Sequence, residues 1–230
     1  MKGGLTTPDS IAYYESARSD MAEFLPEVYH YVLEVGCAQG NFSSCLNSGA
    51  ELWGVEMNPC AAEAAKRKME QVLVGRYTNV AGALPDRYFD LVICNDVIEH
   101  MADCDDFLDS IQKKMTPAGY LMGSVPNVRY YRNLWSLVVQ KDWKYEDWGI
   151  LDRTHQRFFT KKSLNRTLCD HGFQIVKLKG SCGNLLVFTN KRPLGYARAA
   201  MFGLLTLLSF GFFWDVQYLR FGFLTRLNNQ

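Results

Sequence analysis

What most constrains the fold of this chain is an alternation. Short β-rich runs recur along it: YVLEVG (31–36), ELWGVE (51–56), QVLVG (71–75), FDLVICN (89–95), YLMGSV (120–125) and FQIVKLKG (173–180). Helical patterns fill most of the gaps between them. This predicts an α/β fold, a doubly wound and mostly parallel sheet with helices on both faces. Asn58-Pro59 reads as an N-cap with a first-turn proline for the helix CAAEAAKRKME, and TPAGY (116–120) reads as a turn feeding the next strand. With 230 residues and 48% hydrophobic positions, no repeats and no low-complexity linker, the chain is expected to be one domain over 1–230.

In a sheet of this kind ligands bind at the carboxyl ends of the strands, near the switch in strand order, so the exit turn of the first strand is the place to look. That turn is VLEVGCAQGNF, Val32 to Phe42. Gly36, Ala38 and Gly40 allow a sharp bend and close backbone approach, and the following helix offers N–H groups at its start. Glu56 lies twenty residues after Gly36, at the end of the second strand. A carboxylate there accepts hydrogen bonds from both hydroxyls of a ribose, which makes this a nucleoside site. A dinucleotide turn has the spacing G-x-G-x-x-G, because its helix must meet a pyrophosphate. Here the spacing is G-x-A-x-G with Glu34 two residues ahead of it. A carboxylate repels a pyrophosphate and suits a ligand carrying an ammonium and a sulfonium.

Charge and cysteine content narrow the class further. A formal net charge of +1 gives no sign of a polyanion-binding protein, and no nucleic-acid partner is expected. The seven cysteines (Cys37, Cys45, Cys60, Cys94, Cys104, Cys169 and Cys182) form no C-x-x-C pair and have no spacing suited to zinc. They read as reduced thiols of a cytoplasmic protein. The opening MKGGLTTPDS lacks the apolar core of a signal peptide.

VLEVGCAQG, GVEMNP and FDLVICNDVIEHM, in that order across roughly residues 10–125, resemble the motif series of class I S-adenosylmethionine (SAM)-dependent methyltransferases. The resemblance implies a Rossmann-like sheet of seven strands with an antiparallel last strand, for which WDVQYLRFGFL (214–224) is the candidate. It implies that Glu34, Gly36, Cys37, Ala38 and Gly40 surround the methionine part of SAM, that Glu56 holds the ribose and that Met57 packs on the adenine. Asn95 and Asp96 would then lie near the sulfonium. Two positions depart from the pattern. Ala38 replaces the middle glycine, and Arg76 stands where relatives often carry an acid for the adenine amino group. Adenine would then be read by backbone groups or by Tyr77, with Arg76 either involved or a solvated surface residue. In IAYYESARSDM, Tyr14 and Arg18 share a helical face. In similar enzymes such a helix (here within 1–30) lids the cofactor, with Arg18 or Tyr13 meeting its carboxylate. The alternative is a helix packed on the sheet with Arg18 in solvent.

Methyl transfer asks the protein for alignment, and for a base where the nucleophile is a hydroxyl. Two groups compete for that role. Asp96-x-x-Glu99-His100 is similar to the E-x-x-E-H pattern of ubiquinone-pathway O-methyltransferases, whose positions are associated with a divalent metal. Asp96 replaces the first glutamate, and a structural role for Glu99 and His100 is the alternative. The second group is GILDRTHQRFFTKKSL (149–164), where LDRTHxRFFT with PNVRYYRNLW before it resembles bacterial methyltransferases encoded among cell-surface polysaccharide and glycan functions. Imidazole titrates near neutrality when unperturbed, which suits His155 as base for a sugar hydroxyl. Asp152 would orient it, Arg153 or Arg157 would bind an anionic part of the acceptor, and Thr160 is expected to cap the next helix. The alternative is an Asp152 to Arg157 ion pair that locks the loop. Residues 127–160 form a substrate-side insert whose aromatics, Tyr130 among them, face a substrate or fill core.

AAMFGLLTLLSFGFFW (199–214) carries no charge and follows Lys191, Arg192 and Arg198. Sixteen residues are short for a bilayer span. The segment 193–214 therefore reads, in this order, as a helix buried before the last strand, a homodimer interface, or a peripheral membrane contact beside basic residues. A lipid-linked acceptor would favour the last. The function expected is SAM-dependent O-methylation of a sugar or glycan-type acceptor. The alternatives are a small aromatic or lipid hydroxyl with metal at Asp96, Glu99 and His100, and a catalytically silent SAM-binding scaffold.

Overall fold

The computed structural model describes residues 17–181 and 193–228. Seven strands, β1 (Tyr31–Val35), β2 (Glu51–Glu56), β3 (Gln71–Val74), β4 (Phe89–Asn95), β5 (Met115–Pro126), β6 (Phe173–Ser181) and β7 (Arg220–Leu227), form one sheet in the order β3-β2-β1-β4-β5-β7-β6. The pairs among β1 to β5 are parallel, and β7 is antiparallel to both β5 and β6. The six strand segments expected from the sequence are present; the antiparallel last strand, expected over 214–224, runs from Arg220 to Leu227, and Trp214–Gln217 before it is a 3-10 turn. β5 runs longer than expected because the TPAGY turn is drawn into it, with Met115 already paired to Phe89.

The helices are α1 (Pro59–Ala65), α2 (Tyr77–Val80), α3 (Cys104–Lys114), α4 (Tyr131–Trp135), α5 (Lys161–Asp170) and α6 (Pro193–Leu208). Asn58 caps α1 through Cys60 and Ala61, and Thr160 forms a reciprocal capping box with Ser163 at the start of α5. Strand alternation divides the core in two. On β4, Val92 and Cys94 join Phe107, Ile111 and Leu164 of α3 and α5 on one face. Leu91 and Ile93 join Met21, Phe24 and Ala65 on the other.

The order reverses between β1 and β4, so the crevice lies outside their carboxyl ends. The expected N-terminal helix falls largely outside the described residues; Ser19–Phe24 is a 3-10 turn. The segment between β5 and α5 lies over the same edge of the sheet. It is tied down by Asn127, whose Nδ2 donates to the carbonyls of Asp215 and Tyr218, and by a bridge from Asn127 to Phe159. α6 is not buried against the sheet as first expected. It packs on the segment after β5 through a separate small cluster of Tyr130, Tyr131, Ile150, Phe202 and Val216.

Candidate functional site

The turn after β1 bends through three left-handed residues, Gly36 (φ 74°), Ala38 (φ 48°) and Gly40 (φ 68°). A Cβ on Gly36 would stand 2.7 Å from Val97 Cγ2, so only glycine fits there. Left-handed backbone costs an alanine roughly 1–2 kcal/mol. Ala38 is held in it because its N–H donates to Glu56 Oε2 at 2.8 Å, while Glu56 Oε1 accepts from Asn58 N at 2.7 Å. Each carboxylate oxygen keeps a further acceptor position, so Glu56 can bind this turn and two hydroxyls together. Met57 follows with an exposed side chain at the strand end, open to an aromatic ring. The helix after the turn is a five-residue 3-10 segment (Asn41–Cys45), shorter than the sequence suggested.

Buried polar atoms without partners mark what this edge lacks. Glu34 Oε2 and both side-chain polar atoms of Asn95 have no hydrogen-bond partner among the described residues. A buried polar group left unpaired costs about 1–3 kcal/mol, and such groups side by side on β1 and β4 call for a ligand rich in donors. Burial first, and the charge of Glu56 second, push Glu34 up to about 8, against the pull of Arg18. A cationic ligand group is what such a carboxyl needs. The residues present fit a ligand that carries a cation and hydroxyls: Glu34 is a buried carboxyl with an unpartnered oxygen, and Glu56 keeps acceptor positions to spare.

Asp96, expected here as a base, is engaged otherwise. It turns at the end of β4 with φ 52°, its Oδ2 receives Arg18 Nη1 at 2.6 Å and lies 3.6 Å from Arg220 Nη2, and its Oδ1 accepts from the Ser124 hydroxyl at 2.7 Å. Burial raises its pKa, but Arg220, Arg18 and Ser124 outweigh this and hold it below the usual carboxylate range. It is a fixed anion. Arg18 is accordingly not in solvent; its fork spans Asp96, Ser124 and Asp20.

The two groups that competed for the role of base are one cluster. The Glu99 carbonyl accepts from the N–H groups of Gln156 and Arg157 at 2.7 and 3.1 Å, which pins the 149–160 loop onto the turn after β4. Glu99, His100 and His155 each offer a ligating atom, and these atoms lie within 4.8 Å of one another. The group brought together is Glu99, His100 and His155, where the sequence suggested Asp96, Glu99 and His100; Asp96 is held by Arg18 and Ser124 instead. His155 Nδ1 lies 2.9 Å from the Ile150 carbonyl, which only accepts, so Nδ1 is the donor and, in the neutral ring, Nε2 is the nitrogen that carries the lone pair. The Thr154 hydroxyl donates to Asp152 Oδ1 at 2.7 Å and so accepts from His100 Nδ1 at 2.9 Å, leaving His100 Nε2 as a lone pair too. Burial, then the neighbouring His155, lower the His100 pKa and keep it a neutral imidazole. Glu99 is almost wholly buried with both oxygens unpartnered among the described residues, and burial followed by the charge of Asp96 raises its pKa well above the usual range.

Several expected residues have other tasks. Tyr77 is a core residue, edge-on to Phe107 with its hydroxyl on Ser110, and does not reach for a base; Arg76 is exposed at the start of α2. Tyr130 is buried against Tyr131 and belongs to the small core under α6. Arg153 pairs with Asp147 and Arg157 with Asp105, so the alternative pair of Asp152 and Arg157 is not formed among the described residues. Cys37 is buried, packed beside Gly54, and contributes its backbone to the turn. Tyr14 lies outside the described residues, as does Tyr13. The sequence reading missed Thr154 and Arg220. Thr154 was findable, since it sits between Asp152 and His155 in the loop already singled out.

The structure thus brings together a doubly wound sheet, a glycine turn held by Glu56, and Glu99, His100 and His155 gathered at one edge, the place where ligands bind in sheets of this kind. The family model for the methyltransferase domain matches residues 11–178, and the chain belongs to that family. Its cofactor is S-adenosylmethionine. A mitochondrial ubiquinone biosynthesis O-methyltransferase of Schizosaccharomyces pombe is 28% identical over 184 residues, 73% of this chain and 66% of that protein. A ubiquinone biosynthesis O-methyltransferase of Bradyrhizobium diazoefficiens is 29% identical over 155 residues, 65% of this chain and 60% of that one. The chain thus spans about two thirds or less of these relatives' length. A SAM-dependent methyltransferase structure from Archaeoglobus fulgidus superposes with TM-score 0.61 at 19% identity, covering 94% of this chain and 89% of that one, which shows the shared fold.

Proposed function

We propose that this chain is a SAM-dependent O-methyltransferase acting on a small aromatic or lipid hydroxyl, with Glu99, His100 and His155 holding the acceptor side of the site. The observation that carries the reading is the trio itself: two imidazoles with Nδ1 protons anchored on a carbonyl and a hydroxyl, and a buried carboxylate with both oxygens unpartnered among the described residues. Histidines that bind a cation are oriented in this way, by a hydrogen bond from the second ring nitrogen. Glu99, His100 and His155 would hold a divalent cation, which supplies a Lewis acid that lowers the pKa of a bound hydroxyl. SAM supplies an activated methyl group. The protein's own part is placement. Glu34 and Asn95 receive the cofactor's polar groups, Glu56 orients the ribose, and the aromatic group of Trp143, Tyr145 and Phe158 flanks His155 with its ring 6.2 Å from Phe158.

The names of the relatives support an aromatic hydroxyl as acceptor. A glycan acceptor, which the motif around His155 suggested, would use the same imidazoles. Arg153 and Arg157 make only exposed surface pairs with Asp147 and Asp105, so they do not decide between the two acceptors. The test is methyl transfer from radiolabelled SAM to a panel of catechols, prenylated phenols and nucleotide sugars, with and without a chelator. Transfer to a phenolic hydroxyl that falls by roughly a hundredfold or more on chelation and in Glu99→Gln is expected, the scale of losing an activated nucleophile. Transfer to nucleotide sugars that is indifferent to the chelator would overturn this reading.

A further inference from the structure

We infer that α6 and the turn after it form a docking surface for an anionic lipid bilayer. The inference is independent of the acceptor. α6 is seated on the domain through Phe202, which lies against Tyr131 at 5.8 Å, and through Thr206 one turn on. Most of the other apolar side chains described on this helix stand in the open. Met201, Leu204, Leu205, Leu207 and Leu208 are exposed, and at 100° per residue they fan over an arc of about 160° opposite the seat. The turn that follows carries the apolar surface outward to Phe210, which is fully exposed in left-handed backbone, and back through Phe212 and Trp214. This turn is built to be held out. Arg129 bonds to Asp215 and lies over the rings of Phe212 and Phe213 at 5.5 and 5.8 Å, fixing its base to the domain.

Three features choose lipid over a second copy of the chain. A protein interface has a polar rim around its apolar centre, whereas residues 199–214 contain no charged residue and Thr206 is spent on backbone carbonyls within the turn. The exposed aromatic residues near the two ends of the segment, Tyr196 and Trp214, are the types that settle at a membrane boundary. The charge along the sequence is one-sided: from Cys182 to Trp214 there is no acid but there are Lys191, Arg192 and Arg198, and the acid that follows, Asp215, is paired with Arg129. A basic approach to an apolar tip is complementary to anionic headgroups above an acyl layer. Sixteen helical residues rise about 24 Å, less than the ~30 Å hydrocarbon core. No described helix is long and apolar enough to cross a membrane, so this one would lie in the interface.

The test is co-sedimentation of the full chain with vesicles of phosphatidylcholine alone and of phosphatidylcholine with phosphatidylglycerol, at low and high salt. Binding to the anionic vesicles that weakens with salt is expected. The variant Leu207→Ser/Phe210→Ser should lower the partition coefficient at least about tenfold, since both side chains stand in the open and their apolar area drives insertion. Its thermal midpoint and its affinity for S-adenosylhomocysteine should match the parent, which separates lost docking from lost folding. A second readout is quenching of tryptophan emission by brominated lipid, expected to shrink in Trp214→Phe. A parent chain that stays in the supernatant with both vesicles overturns the inference. So does a parent dimer in analytical ultracentrifugation that the double substitution converts to monomer, because a second copy then covers this face.

Discussion

Glu34 is a buried carboxyl whose charge the fold does not compensate. An unfolded glutamate titrates near 4.5 and the folded Glu34 near 8, so between those values the folded chain holds a proton that the unfolded chain has released. Stability from this group is complete below about 4.5 and declines as pH rises to 8. Glu34→Gln should therefore raise the thermal midpoint of the ligand-free protein at pH 8.5 and change it little at pH 4.5. It should also weaken S-adenosylhomocysteine binding, through loss of a charged partner for the ammonium. Calorimetry at the two pH values, with a titration of the nucleoside, checks both signs. The positions of Glu34 in β1 and Glu56 at the end of β2 could be read from the sequence because each sits at a fixed place in a strand that ends at a short turn. The gathering of His155 with Glu99 and His100 could not. It depends on a loop 56 positions away from Glu99 docking by two backbone hydrogen bonds, and on Thr154 and the Ile150 carbonyl turning the rings.

Between elements, the contact of α3 with the end of α5 rests on His171. Its Nδ1 meets Asp109 at 2.7 Å and its Nε2 lies 3.3 Å from Asp105, one turn earlier on α3. Burial lowers the His171 pKa, but the two carboxylates outweigh it and the net shift is upward. The stabilisation is therefore fully present below the ordinary imidazole value of about 6.5 and is lost as pH rises through the raised value. His171→Gln should lower the urea midpoint at pH 5.5 and have a much smaller effect at pH 9. Element identity was legible where period and punctuation agreed, as in the six strand runs, Asn58 before α1 and Thr160 before α5. It misled where hydrophobicity alone was available. An uncharged run reads first as core, and only the seating of α6 on Phe202 and Thr206 shows how little of it the domain covers.

At the scale of the molecule, Arg18 joins the N-terminal segment to the sheet edge, reaching Asp96 across 78 positions and Ser124 across 106. Both partners of the Arg18 to Asp96 pair are largely buried. Removing one leaves the other charge with less compensation; Arg220, at 3.6 Å from Asp96, offsets part of this. Arg18→Ala should cost about 2–4 kcal/mol of unfolding free energy, the lower part of the range for breaking a buried pair being set by that second arginine. Urea unfolding at neutral pH measures it. The sheet order could be anticipated because parallel strands with helical crossovers leave few arrangements, whereas the pairing of Arg18 with the end of β4 joins residues with no shared pattern.

The place of β7 sets an order of events. It lies between β5 and β6, so neither can satisfy its facing edge until Arg220–Leu227 has arrived. On a ribosome the first six strands emerge before it, and the uncharged stretch 199–214 emerges before it as well. The nascent chain therefore passes through an interval with two unpaired strand edges and an apolar helix in the open together, the condition under which chains aggregate or are met by chaperones. Contacts of such long sequence separation form late and slowly. A surface able to rest on lipid during that interval would shelter the chain before the last strand closes the sheet.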